Sequence, residues 1–125
     1  MEYAGTESIL VVDDEAILLE MASEILSVAG YQVQTASSGN EALNHLKSRK
    51  FDLLFTDVIM PGMTGYRLVK EAGEIDPDMK VVLTSGYQVS HEQTDVDPEI
   101  LEAVVQKPYG DKKLRRAIRF ALDKE

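Results

Sequence analysis

Five short apolar runs, each followed by a stretch of different periodicity, constrain this chain more than any other feature of its sequence. Ser8–Val12 (SILVV) is a continuous run of Leu and β-branched residues, the pattern of a strand buried on both faces. Tyr31–Thr35 (YQVQT), Phe51–Thr56 (FDLLFT), Lys80–Thr84 (KVVLT) and Ala103–Gln106 (AVVQ) supply four more strands. Between them, Ile17, Leu18, Met21, Ala22, Ile25 and Leu26 recur at helical spacing before Gly30. Ala42, Leu43 and Leu46 form the inward face of a second helix after the turn Ser37–Asn40. Gly65 opens a third, through Leu68, Val69, Ala72 and Ile75, which Asp76-Pro77 closes. Residues 88–99 (QVSHEQTDVDPE) are polar and weakly periodic, so a fourth helix there is short or loose. Asp111 is positioned to cap a last helix with Leu114, Ala117, Ile118, Ala121 and Leu122 on its apolar face. Parallel neighbours need a covering crossover, so the alternation predicts an α/β fold: a doubly wound, five-stranded parallel sheet with helices on both faces.

Ligands of such sheets bind at the carboxyl ends of the strands. The residues found there are Asp13 and Asp14, Asp57, Ser85 and Lys107. Three carboxylates crowded together repel one another, which makes a divalent cation their natural partner. Hard oxygen ligands select Mg²⁺, and Mg²⁺ leaves coordination positions for a phosphoryl oxygen. The chain has no Cys and only two His, so thiolate metal sites and a cysteine nucleophile are excluded and imidazole zinc sites disfavoured. A carboxylate is itself a nucleophile toward phosphorus, and Lys107 and Ser85 would supply a cation and a hydroxyl to the phosphoryl oxygens. These residues read as a Mg²⁺-dependent, phospho-accepting aspartate.

At 125 residues the chain is one domain, expected to span 1–125 with a core of about 7–124 and no output domain. With 13 Lys and Arg against 22 Asp and Glu, its net charge of −9 argues against nucleic acid as a partner. Apolar runs are too short to span a membrane, and the opening MEYAGTES is no secretory signal, so a cytoplasmic location is expected. Charge is uneven: residues 107–125 hold seven basic and three acidic side chains. The basic last helix could serve as a docking face for an acidic partner or as a homodimer contact; a solvated helix face is the simpler reading. His45, opposite an apolar helix face, and His91, in a polar loop, read as solvated bystanders.

The motifs ILVVDDE (9–15), DLLFTDVIMPGMTG (52–65), VVLTSG (81–86) and QKPY (106–109) occur in this order at the strand ends. Together they make the chain resemble the receiver domain of two-component response regulators over nearly its whole length, and the SGY and QKPY motifs look closest to receivers of hybrid sensor histidine kinases. The resemblance implies a flavodoxin-like (βα)₅ sheet with strand order 2-1-3-4-5. It implies that Asp57 takes a phosphoryl group from the phosphohistidine of a histidine kinase or histidine phosphotransfer domain, and that protein–protein interactions switch as a result. Asp14 then matches the direct Mg²⁺ ligand, Asp13 a ligand through water, and Ile59 a ligand through its backbone carbonyl. Lys107 matches the lysine that pairs with the phosphoryl group, before a Pro108 whose peptide bond is typically cis. Ser85 matches the switch hydroxyl, preferred over Thr84, and Gly65 the glycine that turns the chain into the third helix. Two departures stand out: Val104 occupies the position of a Tyr or Phe that swings inward on activation, and the fourth-helix region is weak. Two other functions compete. A pseudo-receiver that acts only as an interaction module would usually have lost an acid or the lysine, and both are kept. A haloacid-dehalogenase-type phosphohydrolase needs Asp-x-Asp after the first strand, where Asp13 and Asp14 are adjacent.

Overall fold

The strand β1 (Ser8–Val12) has a neighbour on each edge and is buried from Ile9 onward, its side chains covered on both faces. Its partners are β2 (Gln32–Ala36) and β3 (Leu53–Asp57), both parallel to it; β3 continues to β4 (Lys80–Ser85), and β4 to the two-residue β5 (Val105–Gln106). The computed structural model describes residues 1–87 and 95–125, and its sheet has the order β2-β1-β3-β4-β5, as the resemblance implied. The crossovers carry α1 (Ala16–Val28), α2 (Gly39–Ser48), α3 (Gly65–Ile75), α4 (Pro98–Glu102) and, after β5, α5 (Asp111–Asp123).

Period-2 alternation divides the sheet's apolar side chains between two layers. Ile9, Val11, Leu53 and Phe55 pack against Ala22 and Leu26 of α1 and Leu114 and Ile118 of α5. Leu10, Val12 and Leu54 pack on the other face against Ala42, Leu43 and Leu46 of α2 and Leu68 and Ala72 of α3. A smaller cluster of Val58, Leu83, Val96 and Leu101 holds α4 to β4, with Val104 and Tyr66 half-buried at its margin.

Several expectations need correction: the last strand is only Val105–Gln106, with Ala103 capping the end of α4 instead, and Ile75, at the end of α3, is 40% exposed. Ile17 is 82% exposed. The buried stripe of α1 runs through Leu19, Ala22 and Leu26, and Ile17 sits about 140° round the helix from Ala22. Asp111 is the first residue of α5 rather than its cap; Gly110 is the cap, and the Asp111 carboxylate pairs with Arg115 instead. The fourth helix is short, as expected: α4 starts at Pro98, where the Asp97 carboxylate accepts from the Glu99 amide (2.9 Å). Asp-Pro thus starts this helix, since Pro's missing N–H is among those left unpaired in a first turn. Finally, Phe51 precedes β3 rather than opening it, and stacks beneath the Arg49 guanidinium (4.4 Å). His45 is half-buried beside Glu41 (3.9 Å), and His91 lies outside the described residues.

Residues 2–7 lead into β1 along α5. There Arg119 forms a fork on the Glu7 carboxylate, Nη1 to Oε1 at 3.0 Å and Nη2 to Oε2 at 2.6 Å. These bonds hold the Glu7 carboxyl below its ordinary value of 4.5, although partial burial opposes them. A lowered folded-state pKa contributes stability above the ordinary value, and that stability is lost as pH falls through the folded value. Glu7→Gln is therefore expected to cost about 1–2 kcal/mol at neutral pH, and the deficit is expected to shrink as the pH is lowered through the acid range. Urea unfolding of both proteins at neutral and at acid pH checks this; an equal deficit at both would assign the loss to packing instead.

Candidate functional site

Register alone brings the polar strand ends together. Val12 pairs with Thr56, so Asp13 follows beside Asp57; Asp57 pairs with Thr84, and Ser85 with Gln106. The Lys107 amide then donates to the Ser85 carbonyl (2.8 Å), which fixes where its side chain starts. From there Lys107 Nζ reaches 3.0 Å from both Asp13 Oδ2 and Asp57 Oδ2. The lysine bridges two carboxylates that are 3% and 5% exposed, while Asp14 stands in solvent.

The remaining oxygens are aimed by backbone amides. Asp13 Oδ1 accepts from Glu15 N (3.0 Å), and Asp57 Oδ1 from Ile59 N at a long 3.4 Å. Burial holds Asp13 above the usual carboxylate range with help from the Asp57 charge, and the Glu15 amide and Lys107 oppose the shift. Burial pulls the Lys107 ammonium down, but its hydrogen bonds to Asp57 and Asp13 outweigh this and lift it above its ordinary value. Tyr109, packed edge-on against Phe55 (5.9 Å), walls the site from behind; burial, then the Asp13 charge, push its hydroxyl up to about 12.

A cavity of about 670 Å³ opens over this pair, lined by Asp14, Glu15, Asp57, Ile59, Met60, Pro61, Ser85, Gly86, Tyr87 and Lys107. Of the residues expected to act on the phosphoryl group or the metal, Asp14, Asp57, Ile59, Ser85 and Lys107 line it, and Asp13 does not, although it pairs with Lys107. The two candidate hydroxyls part company here. Thr84 Oγ1 is buried and donates to the Val105 carbonyl (2.8 Å), stapling β5 to β4. Ser85 Oγ faces the cavity and accepts from Tyr87 N (3.0 Å). Glu15 is a lining carboxylate that the strand-end rule passed over, although the run Asp13-Asp14-Glu15 holds it in plain view.

The loop after Asp57 folds back so closely that Gly65 N donates to the Val58 carbonyl (2.7 Å). A Cβ on Gly65 would lie 2.2 Å from the Asp57 carbonyl oxygen and 2.8 Å from Val58 Cα, so no larger residue fits. Thr64 caps the helix that follows, its hydroxyl accepting from Arg67 N (3.2 Å).

Asp13, Asp14 and Asp57 each offer an oxygen, all within 4.8 Å of one another. This all-oxygen, three-carboxylate donor set fits Mg²⁺ and suits no soft metal.

Comparison with known proteins points to one family. The model of the family described as "Response regulator receiver domain" matches residues 9–119. The response regulator receiver protein CpdR of Brucella abortus is 34% identical over 101 residues, covering 81% of this chain and 84% of that protein. The sensor kinase CckA of the same organism is 29% identical over 126 residues, but the chain spans only 13% of it. The crystal structure of the response regulator TrrA from Thermotoga maritima, in complex with Mg(2+)-BeF, superimposes with a TM-score of 0.79. It is 32% identical, over 93% of this chain and 99% of that one. Among the described residues no helix is long and apolar enough to cross a membrane.

Proposed function

From the premise that this chain belongs to the response regulator receiver domain family, we propose that it accepts a phosphoryl group on Asp57 from the phosphohistidine of a histidine kinase or phosphotransfer domain. The phosphorylated form then changes its choice of protein partner, and dephosphorylation resets it. The observation that carries this reading is the buried Asp57 carboxylate at the cavity floor, gripped by a lysine it shares with Asp13.

An Asp57 oxygen attacks phosphorus in line, and the P–N bond breaks with its electron pair going to the imidazole. Asp57 thereby gives up the oxygen that pairs with Lys107, and the ammonium follows the charge onto a phosphoryl oxygen. Ser85 turns its hydroxyl from the Tyr87 amide to donate to a second phosphoryl oxygen, which moves the Ser85–Tyr87 backbone. Asp14 and Asp57, with Asp13 through water and the Ile59 carbonyl, would hold Mg²⁺, which when bound neutralises charge on the phosphoryl oxygens. The Mg(2+)-BeF complex of TrrA supports that assignment by likeness.

The test is intact mass after incubation with acetyl phosphate. A Mg²⁺-dependent gain of about 80 Da supports the proposal. No gain, together with no binding of beryllofluoride in the presence of Mg²⁺, would leave an interaction module that phosphorylation does not control.

The rim of the cavity sets how water reaches the aspartyl phosphate. Ile59, 56% exposed, and Tyr87, 70% exposed, both line the cavity as partial covers. Ile59→Asn replaces one cover with an amide that can hold and orient water, and is expected to shorten the adduct's lifetime about five-fold. The decay of the mass shift measures it, and an unchanged lifetime would count against a gating rim.

A further inference from the structure

Three cations of α5, Lys112, Arg115 and Arg119, are not bare in the folded chain: its own residues 2–7 lie against them. Arg119, besides its fork on Glu7, donates to the Ala4 carbonyl (3.3 Å). Beyond Gly5 the backbone turns through Tyr3 at φ +59°. The Tyr3 carbonyl accepts from the Tyr31 hydroxyl (3.1 Å), and its ring meets Phe120 edge-on at 6.3 Å. Arg115 donates to the Glu2 carbonyl, and Lys112 Nζ lies 3.8 Å from the Glu2 carboxylate.

The two halves of this arm are held differently. At its base, a Cβ on Gly5 would come within 2.5 Å of both Arg119 Nη1 and the Tyr31 ring, so residues 4–7 are fitted in place. At its tip, the Glu2 and Lys112 side chains are 67% and 70% exposed, and Phe120 is 57% exposed. The tip is held by two side-chain hydrogen bonds, from Tyr31 to the Tyr3 carbonyl and from Arg115 to the Glu2 carbonyl, with a screened surface pair and one edge-on ring that add little; the left-handed backbone of Tyr3 works against all of them. Lifting the tip uncovers the Phe120 ring with the Arg116 guanidinium 5.1 Å from its centre, flanked by Arg115 and Lys112. None of these groups takes part in the chemistry at Asp57.

We propose that this outer face of α5 docks an acidic, aromatic-bearing segment of a partner protein, and that residues 1–3 occupy it in cis as a competitor. The chain's own segment already seated there, with Glu2 on the cations and Tyr3 on Phe120, defines the chemistry the face accepts.

The probe is a capped synthetic peptide copying residues 1–7, titrated into the full chain while the amide shifts of α5 are followed. A chain carrying Glu2→Lys and Tyr3→Ser is expected to bind it about ten-fold more tightly than the unaltered chain, because its face is vacant for a larger fraction of the time. Raising the salt concentration weakens that binding. Adding Phe120→Ser and Lys112→Glu abolishes it, and Lys112→Glu alone weakens it; both side chains are exposed, so the fold persists. Equal affinity of the unaltered and tip-altered chains, or binding that survives the changes at 112 and 120, would overturn the proposal. A concentration-dependent dimer that disappears when the tip is altered would overturn it too, by giving the face to a second copy.

Discussion

Asp57→Asn is expected to abolish phosphoryl uptake entirely while leaving the fold intact. The substitution keeps the side chain's shape but replaces a carboxylate oxygen with an amide, which is no nucleophile toward phosphorus. Its effect on stability follows from the ion pairs. Lys107 lies 3.0 Å from Asp13 as well as from Asp57, so the variant leaves the ammonium a buried partner and removes one of two like charges crowded around it. Melting temperature is therefore expected to stay within a few degrees of the parent, or to rise. The decisive comparison is intact mass after acetyl phosphate and Mg²⁺: an adduct of about 80 Da on the parent and none on the variant. An equal adduct on both would move the acceptor elsewhere, and the first place to look would be Glu15, which lines the same cavity.

Gly65→Ala should damage both the fold and the site, for a reason unconnected with charge. The added methyl would lie 2.2 Å from the Asp57 carbonyl and 2.8 Å from Val58 Cα, which are backbone atoms unable to rotate away. Relief requires the start of α3 to move off the end of β3, breaking the 2.7 Å bond from Gly65 N to the Val58 carbonyl. Overpacking of this kind costs about 3 kcal/mol, or about 10 °C in melting temperature for a chain of this size. Because the displaced backbone carries Asp57 and the Ile59 amide that aims it, phosphoryl uptake should fall even at temperatures where the variant remains folded. Wild-type stability would show that the loop gives way without strain. Full stability with lost uptake would separate the two roles.

The sheet was legible because burial on both faces makes β1, β3 and β4 near-continuous apolar runs, and the site because each run ends on a polar residue. Parallel register does the rest, placing Asp13, Asp57 and Ser85 side by side without any further signal from the sequence. What escaped depends on details that periodicity does not carry. Ile17 belongs by spacing to an apolar series, but which stripe of α1 faces the sheet is decided by the sheet. Gly110 and Asp111 are equally plausible caps until the backbone angles of α5's first turn are known. The arm's attachment rests on Glu7 and Arg119, 112 positions apart, a separation at which charge pairs in a sequence carry no information. For the same reason α5's cations read as a solvated face, where the structure has Arg119 half-covered by the chain's own acids.

The bridge from Lys107 to Asp57 joins residues 50 positions apart, and the lysine directly follows β5, two strands beyond the one that carries Asp57. Contacts this distant in sequence form late, because the entropy of closing the intervening chain must be overcome first. A nascent chain that has emerged only as far as β4 would already present Asp57, Asp13 and Asp14, but without the cation that draws two of them together. In such a fragment the acids repel one another with no lysine between them. If Asp57 is the acceptor proposed above, a copy in which Lys107 has not yet reached it is expected to take up phosphoryl groups poorly, so that uptake would report completed folding of the segment after β4.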